Sequence, residues 1–114
     1  MIESLIDKFE ITETKRLLSI EQIKNLLTDL FNNEYKDKIE FCYLFGSYAK
    51  VYAKEDSDVD LCVATCLKGL DFVGLIESIR KTLYKKVDLI RFSSLENNLA
   101  LTNDIMKDGM KIYG

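Results

Sequence analysis

The stretch LFGSYAKVYAKEDSDVDLCV, residues 44–63, joins two apolar runs through a glycine–serine pair and a polar segment. Its second apolar run begins with two aspartates, Asp58 and Asp60, one residue apart. Side chains along a strand alternate between its two faces, and residues rise ~3.3 Å each. The two carboxylates should therefore lie on one face, roughly 6.6 Å apart along the strand. The apolar residues of the run face the opposite side, toward the predicted core: Val59, Leu61 and Val63.

A third carboxylate occurs in the apolar segment VDLI, residues 87–90. If this segment forms a strand beside the first, Asp88 joins Asp58 and Asp60 at one end of the sheet. Carboxylates crowded in this way repel one another, and a divalent cation relieves the repulsion. Mg²⁺ binds one or two carboxylates together with substrate phosphates, and two such ions can hold the attacking and leaving oxygens of a phosphoryl displacement. The acids therefore predict metal-assisted phosphoryl transfer.

The glycine–serine pair after the first apolar run, Gly46 and Ser47, has the features of a phosphate-binding turn. Glycine lets the backbone approach a ligand closely, and the N–H groups at a helix start attract phosphates. We predict that residues 47–53 form a short helix whose start, together with the Ser47 hydroxyl, binds a phosphate. Lys50 could also reach a triphosphate, although a solvated lysine fits this position equally well.

Each of these features has an ordinary explanation when it is taken alone: a turn, a solvated strand end, a surface acid. Their order along the chain, each on the expected element, favours a functional site. Tyr48 and Tyr52 could flank a base, but packing or surface positions are the simpler interpretation. Cys62 shares the aspartate face and is expected to be a small buried apolar residue, because no base lies beside it to form a thiolate.

The length and composition of the chain exclude several classes of function. The chain has 114 residues, enough for one domain, and a net charge of −3, which gives no electrostatic reason to bind nucleic acid or an anionic membrane. It contains no histidine, so it cannot supply a Ser-His-Asp triad, a Cys-His pair or a histidine-ligated zinc site. No apolar run approaches the ~18 residues of a membrane span. The three cysteines, an odd number, suit reduced thiols in the cytoplasm.

The spacing of apolar residues predicts an α/β (α+β) fold, in which helices pack on a small mixed sheet. Capping-box patterns occur at Ser19–Gln22 and Ser93–Glu96, and Asp71 is a third candidate cap. The predicted helices cover residues 2–10, 20–33, 72–83 and 95–109, and the predicted strands cover residues 39–45, 58–64, 86–92 and 110–113.

The residues of the opening stretch resemble the signature G-S-x-A-R-G-x-x-x-x-S-D-x-D-L-x-V of the nucleotidyltransferase superfamily related to DNA polymerase β. The small size of the chain is similar to the minimal nucleotidyltransferase (MNT) branch, and Asp88 matches the third carboxylate of that family. The resemblance covers residues 18–114 as a nucleotidyltransferase domain and leaves residues 1–17 as an N-terminal helical extension. The matching positions are Gly46, Ser47, Ala49, Ser57, Asp58, Asp60, Leu61 and Val63.

The resemblance implies the roles of the site residues. Asp58, Asp60 and Asp88 would be the catalytic carboxylates and would bind two Mg²⁺ ions, and Asp88 would help to activate the acceptor hydroxyl. The nucleoside triphosphate, ATP, would be held by the remaining positions of the motif: Gly46, Ser47, Lys50 and Ser57.

The resemblance also implies a partner. MNT proteins act as antitoxins of HEPN-domain RNase toxins by transferring AMP to a toxin tyrosine, which suggests a protein adenylyltransferase here. The chain departs from the signature at Lys50, where arginine is usual, and at Val51, where glycine is usual, and both changes are expected to lower activity. A non-catalytic antitoxin that neutralises its partner by contact, a transferase for a small molecule such as an aminoglycoside, and a homo-oligomer all stay open.

Overall fold

The computed structural model describes residues 17–50 and 53–114. It contains a four-stranded mixed sheet with helices on both faces. This architecture confirms the predicted fold class. The helix expected over residues 2–10 lies outside the described residues, as do Val51 and Tyr52. The elements in chain order are α1 Ile20–Glu34, β1 Ile39–Phe45, β2 Val59–Thr65, α2 Leu70–Leu83, β3 Val87–Arg91, a 3₁₀ helix Phe92–Leu95, α3 Leu99–Asp108 and β4 Met110–Tyr113.

The strand order is β3-β2-β1-β4, so β2 lies inside the sheet with a neighbour on each side. β1 runs antiparallel to both β2 and β4. β2 and β3 are parallel and are joined by the crossover helix α2. The parallel pairing places the starts of β2 and β3 at the same end of the sheet, which is where the aspartates lie.

One face of the sheet carries the main hydrophobic core, covered by α1 and α2. The apolar stripe of α1 includes Ile23, Leu27 and Phe31, which are fully buried, and Leu75 and Ile79 of α2 are equally buried. Full burial of such side chains stabilises a protein by about 1.5–3 kcal/mol each relative to exposure. The sheet contributes alternate residues of β2 to this core, as its pattern predicts: Val59, Leu61 and Val63.

The opposite face carries a smaller apolar cluster, made by Phe45, Cys62, Leu95 and Ile105. The 3₁₀ helix and α3 cover this cluster and leave the start of β2 open, so that Asp58 is exposed. Within the described ranges, none of the helices has the length and apolar character needed to cross a bilayer.

The structure confirms one predicted helix cap and corrects the two others. Ser19 and Gln22 form a reciprocal capping box, with a 3.0 Å hydrogen bond from the Gln22 N–H to Ser19 Oγ. Asp71 lies in the first turn of α2, after the N-cap Gly69. The predicted Ser93–Glu96 box is wrong, because Phe92–Leu95 is a 3₁₀ helix and α3 starts after Asn98, whose side chain accepts from the Leu101 N–H. Short-range turn chemistry at 92–98 therefore delays the helix by one turn.

The short helix predicted over residues 47–53 is not present in its described part. Residues 46–50 form turns, with one helix-type hydrogen bond of 3.1 Å from the Lys50 N–H to the Gly46 carbonyl. Gly46 adopts a left-handed conformation with a φ of 72°, which directs the chain out of β1 more sharply than a helix start would. Any phosphate contact here must therefore use turn N–H groups and not the end of a helix.

Candidate active site

The parallel pairing of β2 and β3 places Asp60 directly beside Asp88. On the other side of β2, Asp60 is the register partner of Phe45, the last residue of β1. Asp58 lies just before β2 and, by strand alternation, projects on the same side as Asp60. The structure therefore brings together the three carboxylates that the sequence singled out.

The surroundings of Asp60 raise the pKa of its carboxyl group. Partial burial, followed by the charges of Asp88 and Asp58, raises the pKa of Asp60 from 3.8 to about 6. Asp58 and Asp88 are exposed to solvent, whereas Asp60 is half-buried between them. The acids thus form one cluster, and the half-buried Asp60 at its centre is affected by the charges of both neighbours.

The donor atoms of this cluster fit a magnesium site that is completed by substrate. Carboxylate oxygens are ligands that Mg²⁺ prefers, and Mg²⁺ keeps positions for waters and phosphates. Within residues 17–50 and 53–114, no group of three or more His, Cys, Asp or Glu side chains is arranged so that it could hold a metal ion as it stands. A cation at Asp60 would relieve the repulsion that raises its pKa. The cluster therefore suits an open, substrate-completed site more than a structural metal centre.

Gly46 lies against the central carboxylate. A side chain at this position would overlap Oδ2 of Asp60, and the backbone has the positive φ that favours glycine. Ser47 follows directly and is partly exposed. Gly46 is therefore placed beside the carboxylates, with Ser47 next to it in the chain, and glycine is needed at position 46 for two independent steric reasons.

Lys50 lies at the end of this turn and is tied to α3. Its Nζ is 2.9 Å from Oδ1 of Asp104 and 3.9 Å from Oδ2 of Asp108. The ion pairs are only partly buried, so each contributes at most about 1 kcal/mol to stability. The structure thus joins Lys50 to α3, and its contact with a triphosphate stays a prediction.

Ser57 closes the loop that leads into the carboxylates. Its Oγ accepts a 2.8 Å hydrogen bond from the Lys54 N–H, and its own N–H donates to the Lys54 carbonyl at 3.0 Å. These bonds fix the approach of the chain to Asp58. The hydroxyl therefore has a structural task in this conformation, and its predicted contact with nucleotide is untested.

Cys62 and Tyr48 are both buried in apolar clusters. Cys62 is buried in the smaller apolar cluster, and burial raises the pKa of its thiol to about 11, so it is a packing residue and not a nucleophile. Tyr48 is buried against the main core, which favours the packing interpretation. Tyr52 lies outside the described residues.

A buried lysine that the sequence analysis did not single out contacts the loop that leads to Asp58. Lys85, between α2 and β3, is only 2% exposed, and its Nζ donates a 2.6 Å hydrogen bond to the carbonyl of Glu55. Nothing in the pattern YKKVDL distinguishes it from the exposed Lys86 beside it. The only available signal was its place one residue before an apolar strand.

A cleft of about 590 Å³ lies at the other end of the sheet, where Lys38, Thr65 and Arg91 contribute to its walls. None of the predicted site residues is among its lining residues. This cleft is therefore separate from the predicted site at the carboxylates.

Comparison with known proteins gives a consistent family. The model of the family described as polymerase beta, nucleotidyltransferase matches residues 21–114. A protein adenylyltransferase MntA from Thermococcus cleftensis is 36% identical over 90 residues, which cover 75% of this chain and 90% of that protein. A putative protein adenylyltransferase from Methanocaldococcus jannaschii is 33% identical over 87 residues, 73% of this chain and 85% of its own length.

Solved structures share the fold at lower identity. A toxin–antitoxin crystal structure with AMP-PNP superposes with a TM-score of 0.66 at 24% identity, covering 80% of this chain and 73% of that chain. A complex of a tri-AMPylated HEPN toxin from Shewanella oneidensis with its MNT antitoxin gives a TM-score of 0.61 at 22% identity, covering 82% and 71%. At these identities the likeness extends to the fold.

Proposed function

The chain belongs to the polymerase β nucleotidyltransferase family and is a nucleotidyltransferase; from this premise we propose that it transfers AMP from ATP to a hydroxyl of a partner protein. The observation that carries the proposal is the position of Asp60, between Asp88 in register on β3 and the glycine turn at the end of β1. Phosphoryl transfer uses carboxylates that can hold metal ions and a backbone turn that can approach the phosphates closely, and both elements lie next to each other here. The names of the two relatives favour a protein acceptor.

In the proposed mechanism Asp58, Asp60 and Asp88 hold magnesium, with two ions as the family resemblance implies. When bound, the metal neutralises charge on the phosphates and on the carboxylates. The turn at Gly46 and Ser47 binds the β- and γ-phosphates through its N–H groups and the Ser47 hydroxyl. Lys50 and Ser57 lie at the two ends of the segment around the nucleotide, and Lys50 would exchange its pairing with Asp104 for a phosphate oxygen.

One of the carboxylates also acts as the general base of the proposed reaction. Asp88 accepts the proton of the acceptor hydroxyl, whose oxygen forms a bond to the α-phosphorus of ATP. The bond from that phosphorus to the β-phosphate oxygen breaks, and pyrophosphate leaves. The products are an AMP ester of the acceptor and pyrophosphate, so no oxidant or further reactant is needed.

We propose a HEPN-domain toxin as the partner protein and the role of antitoxin for this chain. In structures that share this fold, an MNT antitoxin is bound to its HEPN toxin, and one such toxin is tri-AMPylated. The three unpaired cysteines suit a reducing cytoplasm, which is the location we propose. We also keep the division into an extension, residues 1–17, and a nucleotidyltransferase domain, residues 18–114.

The first test measures transfer of label from α-labelled ATP to a purified HEPN partner. We expect Asp60→Asn to reduce transfer by about a hundredfold or more, because several kcal/mol of charge stabilisation are lost. Asp71→Asn is the matched control, since Asp71 is an exposed acid in the first turn of α2, outside the site. Undiminished labelling by Asp60→Asn would contradict the proposal.

The same preparation separates catalysis from simple binding. If wild-type protein transfers no label, yet both it and an Asp58→Asn, Asp60→Asn double variant neutralise the toxin, the chain acts by contact alone. If label appears on an aminoglycoside and not on the protein partner, the acceptor is a small molecule.

A further inference from the structure

The buried lysine between α2 and β3 is unusual among the charged groups of this chain. Lys85 is 2% exposed and is the charged residue that is buried within the described residues. Burying a charge is costly unless hydrogen bonds or opposite charge compensate. The carbonyl of Glu55 accepts a 2.6 Å hydrogen bond from its Nζ, and the ring of Tyr48 lies 5.8 Å from the same atom. The position therefore has compensating contacts that come from two separate loops.

Both loops belong to the candidate active site. Glu55 lies in the loop that ends at Asp58, and Tyr48 follows Ser47 in the glycine turn. Lys85 itself is three residues before Asp88, and the carbonyl of the adjacent Lys86 accepts the Val59 N–H at 3.0 Å. One ammonium group thus connects the segments that carry the first carboxylate, the third carboxylate and the phosphate-binding turn.

The backbone around Lys85 also fixes its position. Tyr84 ends α2 in a left-handed conformation, with a φ of 54°, and its N–H donates to the Arg80 carbonyl at 2.8 Å. β3 begins at Val87, two residues after Lys85. A capped helix end on one side and a paired strand on the other therefore fix the backbone from which the Lys85 side chain reaches the loops.

We propose that Lys85 is a positioning residue of the nucleotidyl-transfer site: its buried ammonium holds the Glu55 carbonyl and packs over Tyr48, and so sets the separation of Asp58 from Asp88 and from the glycine turn. The inference rests on the proposed function and adds to it a residue that touches neither substrate nor metal. Groups that hydrogen-bond directly to metal ligands typically change metal affinity by about 10–100-fold when they are removed, and Lys85 acts one step further out, through the loop backbone.

The test compares Lys85→Met with Lys86→Met in the full chain. Methionine keeps much of the length and volume of lysine but has no donor and no charge. Mn²⁺ affinity is measured by electron paramagnetic resonance in the presence of a non-hydrolysable ATP analogue, and stability is measured by urea unfolding. We expect Lys85→Met to weaken Mn²⁺ binding by about tenfold or more and the exposed Lys86→Met to leave it unchanged.

Rescue separates positioning from general stability. Lys85→Arg keeps a cation and donors and should recover part of the lost Mn²⁺ affinity, even if its larger side chain lowers the urea midpoint. Wild-type Mn²⁺ affinity in folded Lys85→Met, despite lower stability, would overturn the inference. If Lys85→Met does not fold, Lys85→Arg and Lys85→Gln decide: wild-type affinity in both overturns the inference, and weaker binding in Lys85→Gln than in Lys85→Arg supports it.

The measurement also distinguishes the two proposals. If wild-type protein binds no Mn²⁺ with the nucleotide analogue, the proposed function fails and the positioning role fails with it. If wild-type protein binds Mn²⁺ and Lys85→Met binds it equally well, only the positioning role fails.

Discussion

The two faces of strand β2 differ in almost every physical property. One face consists of Val59, Leu61 and Val63, which have no exposed surface and pack under α1 and α2. The other face begins with exposed Asp58 and half-buried Asp60 and becomes apolar only at Cys62. A single strand therefore supports the core on one side and the chemistry on the other.

This difference indicates that the residues that stabilise the fold and the residues proposed for catalysis lie on opposite faces of β2. The core face gains free energy from burial, whereas on the carboxylate face partial burial, together with the charges of Asp88 and Asp58, raises the pKa of Asp60 to about 6. A strand can combine both because its side chains alternate at a period of two. Truncating an apolar residue of the core face should therefore lower stability, whereas removing the charge of Asp60 should raise it near neutral pH, and the following experiments measure both effects.

The largest effect is expected on the core face. Leu61→Ala removes a fully buried side chain and should lower the free energy of unfolding by about 2–5 kcal/mol. Cys62→Ala, one residue further on the opposite face, removes much less volume and should cost about 1 kcal/mol. Urea unfolding of both variants checks the comparison, and equal losses would show that the two apolar clusters contribute alike.

An intermediate effect is expected at the glycine beside the carboxylates. Gly46→Ala forces a methyl group onto Oδ2 of Asp60 at a φ of 72°, so it should destabilise the fold by about 1 kcal/mol or more and reduce nucleotidyl transfer. Gly74→Ala is the matched control, because it lies inside α2 with open space around it and should stabilise by up to about 1 kcal/mol. Thermal unfolding and label transfer measure both. A Gly46→Ala variant with wild-type activity would contradict the close approach to Asp60.

The smallest effect is the pH dependence of the carboxylate face. Since the folded pKa of Asp60 is raised from 3.8 to about 6, folding favours its protonated form. Its contribution to stability is complete below the unfolded pKa and is lost as the pH rises through about 6. Between about pH 4 and pH 7 the metal-free wild type should lose at most about 1 kcal/mol relative to Asp60→Asn, after allowance for solvent screening.

Urea unfolding of wild type and Asp60→Asn across this pH range, in the presence of a chelator, provides the measurement. Mg²⁺ with ATP should raise the stability of the wild type and leave Asp60→Asn nearly unchanged. Parallel pH profiles for the two proteins would show that Asp60 is not under repulsion from its neighbours.

Much of the fold and of the candidate site could be predicted because the signals are local. The alternation in β2, the apolar stripe of α1 and the box at Ser19–Gln22 each depend on residues a few positions apart, and the structure confirms them. The box at Ser93–Glu96 was wrong because Asn98 also offers a cap, and the sequence does not show which of two nearby caps wins. The helix over residues 47–53 was expected from composition, yet the left-handed Gly46 starts a turn instead.

The sequence by itself determined which side chains share a face: strand and helix periods are local, so the carboxylates of β2 had to lie together, opposite its core residues. Only the tertiary structure decided that Asp60 lies beside Asp88, that Lys50 pairs with Asp104 and that Lys85, but not Lys86, is buried. These outcomes depend on strand register and on what packs against each group. Both are set by contacts between residues far apart in the chain, where the environment and not the residue type fixes the cost of a charge.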